Sequence, residues 1–342
     1  MRAIHCAAIL AASFSLNAFM HAQSAPSGTL LALSKTDHTL AIVDPETLKV
    51  IAKVPVGDDP HEVIASADGR TAYVSNYGFG AFHTLAVIDL VDKKALPPVE
   101  LGALRGPHGL TFVGGKTWFT AELAKSIGRY DPGTHKVDLI LGIGQNRTHM
   151  IYVAPDMKRI LTTNVNSGTV SILEPIALPH PPAALPGEPA PSSDWNETVV
   201  KVGNGSEGFD VFPNGREAWV ANAQDGTVSV IDIAGKNVTD TIDADVKSAN
   251  RLKFTLDGKL ALVSVPRSND LTVIDVATHK VTKRIAVGRG GSGILMQPDG
   301  KRAYVACNAD NYIAVIDLAT LTVSGKIESG GAPDGMAWAV RR

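Results

Sequence analysis

A seven-bladed β-propeller of four-stranded antiparallel blades is the all-β architecture predicted for this chain of 342 residues. Three observations predict it. A short strand ending in an acid recurs seven times, each recurrence carries four strand-like runs, and the chain closes on the strand that its beginning lacks. The recurring strands are "AIVD", "AVID", "GRYD", "SILE", "SVID", "TVID" and "AVID", ending at Asp44, Asp89, Asp131, Glu174, Asp232, Asp275 and Asp317. Their successive spacings are 45, 42, 43, 58, 43 and 42 residues. A period in the forties with four strands per unit reads as a propeller.

Within the first complete unit the runs are "HEVIAS", "TAYVSN", "TLAVID" and "ALPPVEL", named here strands A to D from the innermost outward. "ADG" separates A from B, and "PDM", "PNG", "LDG" and "PDG" do so in later units; such dipeptides are turn signals. Runs such as "AYVS" and "AVID" are apolar almost throughout, as expected of strands covered on both faces by neighbouring blades. The chain enters on a strand B ("LLALS", residues 30–34) and finishes on a lone strand A ("PDGMAWAV", residues 333–340). Pairing the two closes the ring and removes two open sheet edges.

Residues that repeat are assigned to the scaffold. An acid at the end of strand C can accept backbone N–H bonds from the turn that follows. The strand-B aromatics Tyr73, Phe119, Trp219 and Tyr304 fill the wedge between blades. The one long interval holds a proline-rich insertion at residues 175–195, expected to be extended and irregular and to project from the face opposite the site described below. Its His180 falls on that opposite face.

Composition narrows the functional classes. Net charge is −2 and no basic block of five or six residues occurs, which argues against nucleic acid as a partner. Residues 1–25 read as a cleaved signal peptide: Arg2, then an apolar run, then small residues. A periplasmic or secreted monomer with no membrane span after cleavage is expected, with residues 28–342 as one propeller domain. Cys6 leaves with the leader, so Cys307 has no disulfide partner, and no C-x-x-C-H haem attachment motif is present.

The strings "GRTAYVSN", "GREAWVAN" and "KRAYVAC", each followed by a "VID" strand, resemble the YVTN-repeat, YncE-like β-propeller family over nearly all of residues 28–342. The resemblance implies a seven-bladed fold, commonly secreted or periplasmic. Related propellers include binding proteins, oxidoreductase domains, lactonases and a metal-using streptogramin lyase. Fold alone does not choose among these.

Function is sought where equivalent positions differ. The D–A and B–C loops share one face, where the central channel opens. Strand-A starts place His61, His108, His149, Glu207, Asn250, Ser292 and Asp334 around that mouth. Strand-B ends place Ser34, Asn76, Glu122, Asn164, Asn222, Val265 and Cys307 beside them. Arg147, Arg251 and Arg267 belong to the same face, as does a lengthened loop carrying Tyr77, Phe79 and His83 that could act as a small lid. Cys307 reads as a packed small residue.

Three histidines in consecutive blades, with a carboxylate, suit a divalent transition metal such as Zn, Mn, Cu or Fe. His61, His108, His149 and Glu207 are the metal candidates, and Glu207 and Glu122 the catalytic ones. Asn76, Glu122, Arg147, Asn250, Arg251, Ser292 and Asp334 are the candidates for ligand contact. Two readings follow. One is a binding or scaffold protein whose polar mouth holds a small ligand, a metal or a protein partner. The other is a metal-dependent lyase or lactone or ester hydrolase, in which a metal polarises a carbonyl or activates water and a His or Glu acts as base.

Overall fold

The structure, a computed structural model, describes residues 28–178 and 193–340. The leader, His180 and the centre of the proline-rich insertion lie outside the described residues. The described residues form seven four-stranded antiparallel sheets. In blade 1 the C-terminal strand Pro333–Val340 pairs with Gly28–Ser34, followed outward by Thr39–Asp44 and Lys49–Pro55. Blades 2 to 7 each consist of four consecutive strands. Their strands A are Pro60–Ala65, Pro107–Val113, Thr148–Val153, Ser206–Val211, Arg251–Phe254 and Gly291–Met296. The seven blades, their four strands and the closing pair are those predicted.

Burial explains the apolar runs. Strand B of blade 2, Thr71–Asn76, is buried from its second residue onward, whereas the outermost strand of blade 1 alternates toward solvent. The core lies between blades. One cluster joins Leu31, Leu33 and Ala337 of blade 1 to Val63 and Val74 of blade 2. The aromatics fill the wedges: Trp219 stands edge-on to Phe254 of blade 6, with ring centres 5.3 Å apart. Tyr304 of blade 7 lies over Trp338 of blade 1 and donates its hydroxyl to Gln297 at 2.7 Å. The strand-C acids cap their turns as expected. Asp44 accepts from the N–H groups of Glu46 and Thr47, and Asp317 from those of Ala319 and Thr320. Glu174 departs from this pattern and pairs with Arg159 and Lys236.

The insertion corrects one expectation. Its ends are not irregular. Strand C of blade 4 runs on through Ala177, and Pro175–Ala177 pair in register with Trp195, Asp194 and Ser193. Pro175 lies within this strand, and the chain leaves the blade as a lengthened hairpin.

Six of the seven strands A begin with a β-bulge. His61 and Glu62 together face Ser75, His108 and Gly109 face Thr120, and His149 and Met150 face Thr163. The same two-to-one irregularity occurs at Glu207–Gly208, Ser292–Gly293 and Asp334–Gly335. In blade 6 Arg251 pairs with Ser264 without a shift. A bulge re-aims the side chains it carries, and the first bulge residue is in each case the ring residue named from sequence. The second must be small where blades crowd: a Cβ on Gly109 would lie 2.5 Å from the His149 carbonyl oxygen, and one on Gly335 would lie 2.2 Å from that of His61.

Candidate functional site

Hydroxyls of strand B lock these bulges to one another. Thr120 Oγ1 accepts the Gly109 N–H at 2.9 Å and donates to the His149 carbonyl of the next blade at 2.6 Å. Ser75 treats Glu62 and His108 in the same way, and Thr163 treats Met150 and Glu207. The backbone under His108, His149 and Glu207 is therefore pinned by fully buried groups. The signal was present in sequence as a Ser or Thr one residue before the end of strand B, but it reads there as ordinary strand composition.

At the mouth, His108 and His149 are buried and their rings overlap, with centres 3.9 Å apart. His149 Nδ1 donates to Glu122 Oε1 through a short contact, and Tyr77 donates its hydroxyl to Glu122 Oε2 at 2.6 Å. Glu207 Oε1 lies 3.0 Å from His149 Nε2, an ion-pair contact without hydrogen-bond alignment. Ligand atoms of His108, Glu122 and His149 lie within 4.8 Å of one another, which makes them a group able to hold a metal ion. Glu122, a catalytic candidate from sequence, belongs to this group with His108 and His149, while His61 and Glu207 stand beside it.

His61 forms the other half of the mouth. Its Nδ1 lies 3.1 Å from His108 Nε2, and Lys35 Nζ lies 2.6 Å from its Nε2. Asp59 Oδ1 is 3.1 Å from the same nitrogen, and Asp334 Oδ2 is 3.7 Å from Lys35. Tyr77 packs edge-on against both His61 and His108. The lengthened loop thus covers the mouth through Tyr77, while Phe79 at its tip is 92% exposed. His83 is turned away toward Glu100, and Arg267 is exposed. Lys35 and Asp59 were not singled out from sequence. They flank ring positions, one following Ser34 and the other two residues before His61, where charge is common on any loop.

The remaining candidates are engaged elsewhere. Asn76 donates to the Val56 and Asp58 carbonyls, and Ser292 contacts the Ala306 and Pro333 carbonyls. Arg251 reaches across the channel from blade 6 to a close ion pair with Glu62 of blade 2, and also bonds Asn250. These residues form a polar bridge beneath the mouth, above a cavity of about 380 Å³ lined in part by Ile64, Leu110 and Trp338. Cys307 is fully buried, and burial pushes its thiol up to about 11.

Electrostatics divides the histidines. Burial would lower His149, but Glu207 and Glu122 outweigh it and hold the imidazole up at about 9. Burial and the neighbouring His149 push His108 well below its ordinary value. Burial takes His61 down to about 4 against the opposing pull of Asp334. Glu122 and Glu207 stay below the usual carboxylate range: burial opposes this, and His149 overrides it. His108 Nδ1 is buried with no hydrogen-bond partner. Such an orphan typically costs about 1–3 kcal/mol, and a neutral imidazole beside an ionised carboxylate is a ready ligand pair.

A profile of the family described as "YNCE-like beta-propeller" matches residues 191–297. The chain is a seven-bladed β-propeller that resembles this family over that stretch. A search of curated proteins finds no match. Among solved structures, a protein of unknown function from Desulfotomaculum acetoxidans is similar at 13% identity and a TM-score of 0.72, over 92% of this chain and 100% of that one. Hydrazine synthase of Kuenenia stuttgartiensis is similar at 18% identity and 0.70, over 85% and 92%. A candidate 6-phosphogluconolactonase from Bacteroides uniformis is similar at 16% and 0.69, over 91% and 99%. At such identities these likenesses concern the fold of this propeller and leave its chemistry to its own residues.

Proposed function

We propose that this YncE-like propeller is an exported metal-binding protein, in which His108, His149 and Glu122 hold a divalent transition metal at the channel mouth. The observation that carries the proposal is the buried His–Glu–His group with ligand atoms within 4.8 Å of one another. Two imidazoles and a carboxylate with open positions suit zinc, and also iron, manganese or copper. The unpartnered His108 Nδ1 fits this reading, because a buried polar atom without a partner is otherwise a cost. Tyr77 on Glu122 Oε2 supplies the outer support that orients a ligating carboxylate.

A specific observation favours a second reading, that of a lyase or a lactone or ester hydrolase. Glu207 is nine-tenths buried, held ionised chiefly by His149, and lies outside the metal group. A bound metal would supply Lewis acidity. Glu207 would then take the proton as general base, with Arg147 3.5 Å away to steady the carboxylate.

The test is elemental analysis of tag-free mature protein after loading with zinc, manganese, copper or iron and extensive washing. About one metal per chain is expected in the native protein and none in the His108→Ala, His149→Ala, Glu122→Gln variant that keeps its β-sheet circular dichroism. No retained metal, or equal retention in both, overturns the proposal.

A further inference from the structure

Beside the His–Glu–His group a second cavity opens to the mouth face. It holds about 360 Å³ and is lined by Tyr77, Phe79, Glu122, Leu123, Lys125 and Arg147, with Asn146 and Asn166 at its edge. We propose that it receives a small carboxylic acid with an apolar body, whose carboxylate is held by Arg147. This assignment rests on the metal reading above only for its strength, not for its existence.

The lining states the ligand's chemistry. Two cations, Arg147 and Lys125, and two amides face one carboxylate, that of Glu122, which is already engaged by His149 and Tyr77. Glu207 also lies 3.5 Å from Arg147 but is engaged by His149 at 3.0 Å, so the balance left for a visitor stays positive. The apolar contribution is exposed rather than packed: Phe79 is 92% exposed and Leu123 56%. Isolated exposed apolar residues are ordinary, but two flanking a concave cationic pocket give a ligand's hydrocarbon part a place to be buried.

Arg147 is held only loosely, between two carboxylates. Its Nε lies 3.6 Å from Glu122 Oε1 and its terminal nitrogen 3.5 Å from Glu207 Oε1, both longer than a good charge-assisted bond. Its side chain is 37% exposed. A cation bound at Glu122 would compete for one of the two carboxylates that Arg147 faces and free that side of the guanidinium for a ligand. A planar guanidinium binds a carboxylate through two parallel bonds.

The experiment is calorimetric titration of the tag-free mature protein with phenylacetate, phenylacetamide and phenylphosphonate, in metal-loaded and chelator-treated samples of known metal content. Phenylacetate is expected to bind both samples, about tenfold more tightly when metal is present. Phenylacetamide is expected not to bind. Arg147→Gln is expected to weaken phenylacetate about tenfold or more, and Phe79→Ala, at an exposed position that the fold does not need, by a smaller factor. A metal-loaded sample that retains no metal after washing but still binds phenylacetate through Arg147 refutes the metal reading and keeps this one. Absence of phenylacetate binding in both samples, equal binding of the amide, indifference to Arg147→Gln, or clear preference for the phosphonate overturns it.

Discussion

At the scale of single residues, the mouth depends on histidines that carry different charges. His149 is held up at about 9 against an ordinary 6.5, so its protonated form is the one the fold stabilises. A group with a raised folded value contributes stability that is complete below the unfolded value and is lost as pH rises through the folded one. Chelator-treated protein is therefore expected to melt at progressively lower temperature between pH 6.5 and about 9. His149→Gln should abolish that decline, and an identical slope in the two proteins would contradict the assignment. Of these residues, His61, His108, His149, Glu207, Asp334 and Glu122 were legible in the sequence, because they occupy equivalent positions of a repeat and depart from its common residue. Which of them share one point was not legible. Convergence depends on ring tilt and on the close approach of His108 to His149, and a one-dimensional register holds neither. Lys35 and Asp59 were missed because nothing in a repeat marks a charge lying beside an equivalent position.

At the scale of elements, the bulge at the start of strand A carries the site, and the strand-B hydroxyls hold the bulges in place. Thr120 is the clearest case, since its hydroxyl joins the Gly109 amide to the His149 carbonyl with no access to water. Thr120→Val keeps the shape and removes both bonds. Leaving two buried backbone groups unpartnered is expected to cost about 1–3 kcal/mol in stability. It is also expected to weaken metal binding, because the backbone under His149 loses its fixed position. Chemical denaturation and metal titration check the two effects, and a variant equal to the native protein in both would show that the hydroxyl does not position His149. The strands and turns were legible from alternation, "PDG"-type turns and the strand-C acids, whose caps the structure contains at Asp44 and Asp317. The lengthened hairpin of blade 4 was not. Prolines argue against a ladder, yet Pro175 is tolerated where strand C outruns the rest of its sheet and only the outer strand pairs with it.

At the scale of the whole molecule, closure turns seven similar units into a ring with one polar mouth. The strand Pro333–Val340 is both strand A of blade 1 and the carrier of Asp334, so the last residues complete sheet and site together. It contributes Met336, Ala337 and Ala339 to the cores on either side. A chain ending at Ala332 is expected to lose the cooperative thermal transition of the native protein, since it opens a sheet edge and both flanking cores. A truncated chain melting at the native temperature would contradict closure as the source of stability. The ring also brings Glu62 and Arg251, 189 positions apart in sequence, to one ion pair across the channel. That pairing was invisible in sequence because it joins blades that are not neighbours.

The central claim is that His108, His149 and Glu122 hold a metal at this mouth, and anomalous diffraction at the absorption edge of zinc, from crystals of zinc-loaded protein, tests it most directly. One strong peak is expected about 2.0–2.2 Å from nitrogens of His108 and His149 and an oxygen of Glu122. A map with no peak there, or with the metal held elsewhere on the propeller, would contradict it.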